Sequence, residues 1–473
     1  MSGDIEIFYD TCYKIPRKYE EEEFYKKVKS SLTRVNKGFG NDESTTMEFY
    51  IESDEYLYIP RYYPIDIFTK KQPQNKNIET EIQLKFIGKP RNKLQEHAIN
   101  YLINNPKCIF QLEPGGGKTV ISIAVMCHFG VRTIILTHLS SLIDQWKERI
   151  LQFTNAIPDD IGILKSSNYD KILLNKSVIL ATTQTIMHLI RKDLQNFEAC
   201  MLESGIGLFI GDEVHTAVGA PEFSKSSLLI PAKKVIGLSA TPQRKIGYGI
   251  LKQHLGEVYT CDQFNVDTMA PKIIVCLFDF KIYIDSRMRY LNWGGQFQYA
   301  RYYNMYKKSK PFFHVITDVI DLCLERDRNI VVMNERIKII DILFNHYCEK
   351  TECAKFTGGV SNSVLTKKLV FTTPGKMRDG VDAPWKDAMI LTSNISNITQ
   401  AIGRVVRPLP NKKQPIVFDF VDIKPPKIRI PFWKNRYSYY QEKGWEVLFY
   451  KYEIINGQAY RKQINEIEAR SMV

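Results

Sequence analysis

The chain has 473 residues, 44% hydrophobic and 25% charged, with a formal net charge of +13 and a sequence pI near 9.1. That length allows two or three domains with separate cores, and the surplus of Lys and Arg points to an acidic partner, nucleic acid ahead of an anionic membrane surface. No run approaches the 18 apolar residues of a membrane span, and the polar, acidic start at Met1, Ser2, Gly3 and Asp4 is not expected to act as a signal peptide. The nine cysteines are scattered, with no C-x₂-C pair. That pattern argues against zinc and for a reducing compartment, so a cytoplasmic location is expected.

Residues 1–85 read as a small α+β accessory module with a charge-dense start and strand-like alternation at Met47, Phe49 and Ile51. The run Pro60, Arg61, Tyr62 and Tyr63 suits either a nucleic-acid surface or a tyrosine-rich core edge. A polar linker over 70–77 closes the module. From 86 to 270, apolar runs at 133–137, 177–182, 208–212 and 234–239 alternate with helical periodicity. The pattern predicts an α/β, doubly wound parallel sheet. Residues 271–309 read as a connector. Its cations and aromatics (Arg287, Arg289, Tyr290, Trp293, Tyr302, Tyr303, Tyr306) suit either base stacking or a helix that buries its rings. A second alternation over 310–423, with strands expected at 329–333, 369–372, 388–392 and 415–419, predicts a second α/β lobe. The basic, aromatic stretch 424–473 is expected to pack back on the lobes.

One run stands out in the first lobe. An apolar strand beginning at Ile109 enters Gly115, Gly116 and Gly117, then Lys118 and Thr119, then an apolar helix. A strand turning through glycines into a helix leaves backbone N–H groups free to wrap a triphosphate. Lys118 would reach the β- and γ-phosphates and the Thr119 hydroxyl a Mg²⁺ ion. Leu112 stands where the strict pattern has its first glycine. Downstream, Asp212 and Glu213 sit at the tip of a predicted strand, where one carboxylate can hold Mg²⁺ and the other orient a water. Gly237, Leu238, Ser239, Ala240 and Thr241 form another strand-to-turn run. In the second lobe, Gln400, Gly403, Arg404 and Arg407 place two arginines on one helix face. They suit either a developing phosphoryl charge or a basic, nucleic-acid-facing helix.

Gly-Gly-Gly-Lys-Thr, Asp-Glu-Val-His, Ser-Ala-Thr and Gln-x-x-Gly-Arg-x-x-Arg, in that order, resemble the motifs of superfamily 2 DExH-type helicases. Leu142 to Trp146, Thr182 to Thr185, Phe356 to Ser361 and Asp379 to Asp382 bring the likeness nearer to the poxvirus-type transcript-release DNA helicases of large DNA viruses and related phage helicases. The resemblance implies two tandem RecA-like lobes that hydrolyse ATP between them, with ATP and Mg²⁺ as cofactors. The activity implied is an ATP-dependent DNA helicase or translocase moving 3′→5′. Transcript release, junction remodelling or RNA unwinding are the alternatives. Nucleic acid is the implied partner, DNA ahead of RNA, together with RNA polymerase or other viral transcription factors. A monomer in a viral factory or virion is the implied setting.

Residue by residue, the resemblance implies that Gln95 reads the adenine, although the arginine usual three positions earlier is Asn92 here. Gly115, Gly116, Gly117, Lys118 and Thr119 bind ATP, Thr119 and Asp212 hold the metal, and Glu213 serves the water. His215, Ser239, Thr241 and Asp382 couple the nucleotide to the nucleic acid. Gln400, Arg404 and Arg407 act on the γ-phosphate, and Thr183, Gln184, Thr357 and Gly358 touch nucleic acid. Only 17 residues separate Asp382 from Gln400, which leaves no room there for a strand-separating hairpin.

Overall fold

The computed structural model describes residues 5–36, 45–69, 77–113, 115–214, 221–242, 248–261, 269–279, 291, 296–378, 383–395, 398–455 and 458–472. Residues 1–266 form one compact unit and 267–473 another.

The first unit opens with short antiparallel strands in the order β1 (Phe8–Tyr9), β2 (Tyr13–Pro16), β6 (Tyr56–Ile59), β5 (Ile51–Glu52). A hairpin of β3 (Thr33–Asn36) and β4 (Thr45–Glu48) stands beside them. Their core of Ile15, Tyr25, Val28, Leu57 and Ile59 also takes in Ile250, from the helix Tyr248–Leu255 far along the chain. Polar pins tie the strands to the same unit. Arg61, only 3% exposed, donates to the carbonyls of Ser227, Ile230 and Ala232 at 2.8–3.0 Å. Lys14 pairs with Glu198 at 2.6 Å, and the Tyr58 hydroxyl donates to the same carboxylate. The expected separate module over 1–85 is therefore an integral part of the first unit. The run around Arg61 is a core edge and not a nucleic-acid surface, because three carbonyls take up the guanidinium.

Seven parallel strands follow: β7 (Lys107–Gln111), β8 (Thr133–Thr137), β9 (Ile161–Ile163), β10 (Val178–Thr182), β11 (Leu208–Gly211), β12 (Lys234–Ser239) and β13 (Glu257–Thr260). Their order is β13-β7-β12-β11-β8-β10-β9. Successive side chains enter opposite layers. Ile109, Ile134, Ile179, Phe209 and Val235 fill one core, while Phe110, Ile135, Leu180, Ile210 and Ile236 fill the other. Burial on both faces is why these strands read as continuous apolar runs without polar alternation.

The second unit holds an eight-stranded sheet of β14 (Lys272–Phe278), β15 (Ile330–Met333), β16 (Cys353–Phe356), β17 (Leu369–Thr372), β18 (Ala388–Leu391), β19 (Ile416–Asp422), β20 (Val447–Ile455) and β21 (Gln458–Ile464). The order is β16-β17-β15-β18-β19-β14-β20-β21, parallel except for the β20–β21 hairpin. Two boundaries drawn from the sequence give way here. β14 lies inside the expected connector, yet it pairs along its whole length with β19. It can do so because Ile273, Val275 and Leu277 enter one core layer and Cys276 the other. The stretch after 424 does more than pack back, since β20 and β21 extend the sheet. Of the connector's aromatics, Tyr302, Tyr303 and Tyr306 are buried on the helix Tyr299–Tyr306, which is the ring-burying reading. Arg287, Arg289, Tyr290 and Trp293 lie outside the described residues.

Candidate active site at the glycine loop

In a parallel sheet the carboxyl ends of the strands gather the ligand-facing loops. At the end of β7 the Leu112 amide donates to the Ser239 carbonyl at the end of the neighbouring β12. The chain then turns through the glycines. Gly117, with φ +93°, caps the helix Lys118–Phe129 in a left-handed conformation, and a Cβ on it would stand 2.2 Å from Gln95 Nε2. Gly116 is needed for a different reason, since a Cβ there would meet Leu112 Cδ2 at 2.6 Å. Leu112, the departure from the strict pattern, fills the space that Gly116 leaves open.

The loop is braced from the helix Lys93–Asn104. Gln95, 4% exposed, donates from Nε2 to the Gly116 carbonyl at 3.1 Å and accepts from the Arg91 amide on Oε1 at 2.8 Å. Arg91 Nη2 donates to the Gly115 carbonyl. Asn92, where an arginine was expected, is the helix N-cap and accepts from the Gln95 amide. The guanidinium next to the loop therefore comes from Arg91, one residue earlier.

Lys118 Nζ donates to the Leu112 carbonyl at 3.2 Å and lies 3.5 Å from Glu213 Oε1. Glu213 follows β11 with φ +50°, one of three non-glycine residues with positive φ among those described. Such a backbone costs on the order of 1–3 kcal/mol and persists where the surroundings over-determine it. Asp212 beside it is buried, and its Oδ2 accepts from Trp146 Nε1 at 2.8 Å. Burial, helped by the Glu213 charge, pushes the Asp212 carboxyl up to about 6 against the opposing pull of Trp146, Lys118 and His138. In the sequence Trp146 closes the stretch Leu142 to Trp146 that supports the resemblance, and it shares a buried helix face with Leu142, Ile143 and Ile150; neither reading pairs it with Asp212. The usable signal is that a buried indole N–H needs an acceptor.

These residues fit a nucleoside triphosphate with a divalent cation. A helix N-terminus, backbone brought close by Gly116 and Gly117, one lysine, and a buried carboxylate whose ionised form needs a counter-charge stand together. Thr119, in the first helical turn, is half-buried. Ser239 is buried and its Oγ accepts from the Thr241 amide, fixing the turn after β12. Thr183 is buried and Gln184 exposed at the start of the helix Thr183–Lys192, after β10. Thr357 and Gly358 follow β16, Gly358 with φ +56°. Gln400 and Arg404 lie in the helix Thr399–Val405 with Arg407 just beyond it. His215 and Asp382 lie outside the described residues.

Residues 88–244 match the family model described as the res subunit of type III restriction enzymes. A "putative ATP-dependent RNA helicase" of Acanthamoeba polyphaga mimivirus is 24% identical, over 96% of this chain and 90% of its own length. The chain carries a superfamily 2 helicase domain. A "probable helicase" of Escherichia phage T5 matches this helicase at 22% identity, over 76% of this chain and 78% of its own. Among solved structures, S. cerevisiae Dbp5 bound to RNA and ADP BeF₃ superposes with a TM-score of 0.53 at 17% identity. That match covers 76% of this chain and 89% of the Dbp5 chain, a likeness of fold. The two parallel sheets are thus tandem RecA-like domains, and the helicase is an ATP-hydrolysing enzyme of the helicase/translocase kind. Among the described residues, no helix is long and apolar enough to cross a membrane.

Proposed function

We propose that this helicase hydrolyses ATP at the glycine loop and uses the cycle to move along and unwind DNA in the 3′→5′ direction. The observation that carries the reading is the cluster of Lys118, Asp212 and Glu213 beside the loop, within reach of one triphosphate. Lys118 and the loop amides hold the phosphates, and Gln95 braces the loop next to its adenine contact. Mg²⁺, held by Thr119 and Asp212, supplies charge neutralisation at the phosphates when bound. Glu213, 3.5 Å from Lys118 Nζ, orients the attacking water and takes its proton. Arg404 and Arg407, with Gln400, stabilise the charge that develops at the γ-phosphate. His215, Ser239, Thr241 and Asp382 relay nucleotide state to Thr183, Gln184, Thr357 and Gly358, which touch the nucleic-acid backbone.

Charge supports a polyanionic partner, since residues 267–473 hold 33 Lys and Arg against 21 Asp and Glu. A second reading, RNA as the track, is favoured by the printed name of the mimivirus relative. A third, in which the motor displaces RNA polymerase or remodels junctions without unwinding plain duplex, follows from the resemblance to transcript-release helicases.

The test is ATPase activity with single-stranded DNA, duplex DNA and RNA in parallel, alongside unwinding of a tailed duplex and release of a stalled transcript. Glu213→Gln is expected to lower nucleic-acid-stimulated kcat by about 10²–10⁴-fold, and Lys118→Ala to abolish it. Full stimulated activity in either variant would overturn the assignment. Stimulation by RNA alone would move the proposal to the second reading.

A further inference from the structure

Lys412 is half-buried in the second unit, and its ammonium is fully used. Nζ donates to the Arg407 carbonyl at 2.9 Å and also to the carbonyls of Val405 and Pro384. An ammonium has three donors and no acceptor, so three carbonyls account for all of its hydrogens. The acceptors are not arbitrary. Val405 is the last residue of the helix Thr399–Val405 that carries Arg404, and Arg407 is the second arginine of the pair. Pro384 belongs to the segment that leads into β18. A helix ends with carbonyls that lack partners, and a cation there is favourable. A seven-residue helix has few hydrogen bonds of its own to keep that end in place.

The local chain is shaped to deliver this lysine. Leu409 to Lys412 form a turn closed by the Lys412 amide on the Leu409 carbonyl. Asn411 stands at φ +59° within it, the left-handed region that asparagine tolerates better than most side chains. The turn folds back, so that a residue five positions after Arg407 reaches the Arg407 carbonyl.

We propose that Lys412 is a positioning residue, a clamp that fixes the helix end bearing Arg404 and Arg407 and so sets where the two guanidinium groups stand during hydrolysis. This rests on the reading of those arginines given above. Lys412, whose three donors are taken by the Pro384, Val405 and Arg407 carbonyls, acts only through those arginines. A guanidinium cannot replace it, because a planar fork does not aim three donors at three converging carbonyls.

The test is steady-state ATP hydrolysis by the full chain with saturating nucleic acid. Lys412→Met keeps the aliphatic stem and removes the donors. It is expected to lower kcat about tenfold while leaving KM for ATP within about twofold, the signature of an interaction felt in the transition state. Combined with Arg404→Ala and Arg407→Ala, it should add no further loss, since residues acting as one unit are non-additive. Lys412→Arg, which keeps a cation at the helix end, is the variant to use if Lys412→Met does not fold. It should keep the thermal transition and still lose at least about threefold in kcat. A kcat within twofold of wild type in Lys412→Met, or a loss that multiplies with those of the arginine variants, would overturn the clamp. Normal hydrolysis in Arg404→Ala and Arg407→Ala themselves would instead show that the reading of the arginines is at fault.

Discussion

The two units share a parallel-sheet plan and divide charge very unequally. Residues 1–266 hold 32 Lys and Arg against 31 Asp and Glu, whereas residues 267–473 hold 33 against 21. Almost all of the net +13 therefore belongs to the second unit. In the first, cations are matched locally: Lys118 to Glu213, Lys14 to Glu198, Lys234 to Glu79. The second unit spends some of its surplus inside, on Lys386, Lys412 and Arg436, whose partners include backbone carbonyls and the buried Asp419. What remains outside includes Lys427 and Lys434, exposed in a stretch with no acid between Asp422 and Glu442. One unit is near-neutral and carries the glycine loop, and the other is cation-rich; on the proposed function, small-ligand chemistry and polyanion capture belong to different halves of the chain.

The harshest way to break that comparison is to remove a cation from the first unit that serves its fold. Arg61→Met leaves three buried carbonyls without their donor and is expected to cost roughly 3 kcal/mol or more, read as a lower thermal midpoint. The salt dependence of nucleic-acid binding should not change, because Arg61 faces no solvent. A changed salt slope with an unchanged melting transition would contradict the core-edge assignment.

Asp212→Asn should sharpen the contrast in the opposite direction. Folded Asp212 keeps its proton to a higher pH than the unfolded chain does, with its carboxyl raised from 3.8 to about 6. From this group alone, stability is greatest below the unfolded value and falls as pH rises from about 4 to about 6, so at neutral pH the metal-free protein carries the cost. Asp212→Asn is accordingly expected to stabilise the metal-free protein by about 1–3 kcal/mol at pH 7 while abolishing ATP hydrolysis. If that variant melts at or below the wild-type temperature without metal, the carboxylate is not held at a cost.

The gentlest test compares surface cations directly. Removing Lys427 and Lys434 together should flatten the plot of log affinity for a single strand against log salt by up to about 1.4, at roughly 0.7 per lost phosphate contact. Removing the exposed Lys192 and Lys233 of the first unit should leave the slope unchanged. Equal effects from the two pairs would mean that the charge asymmetry does not describe where the strand lies.

The sequence showed five of the seven strands in the first parallel sheet and four of the eight in the second, those whose burial on both faces announces itself by unbroken apolar composition. It could not show which strands are neighbours. β14 and β19 pair in full register although some 140 residues separate them, and nothing local to Lys272–Phe278 marks it as the inside of a sheet. The glycine loop and the Asp212–Glu213 tip were readable because their residue types are few and tightly spaced. Their supports were not. Trp146 on Asp212, Arg91 on Gly115 and Lys412 on Arg407 are held by distance and angle across loops, where several residue types would have suited the local pattern. Arg61 is the clearest case. Read along the chain it is a cation among tyrosines, and only carbonyls 166–171 residues away decide that it is buried.

Leu112 and Gly116 share one small volume, and that makes the loop a matter of space as much as spelling. Gly116→Ala should be tolerated only when Leu112 is reduced at the same time, and Leu112→Gly alone should leave a void beneath the backbone of the glycine loop. A motif search written in letters treats the leucine as an error. Read as space, the leucine side chain occupies what the glycine leaves open.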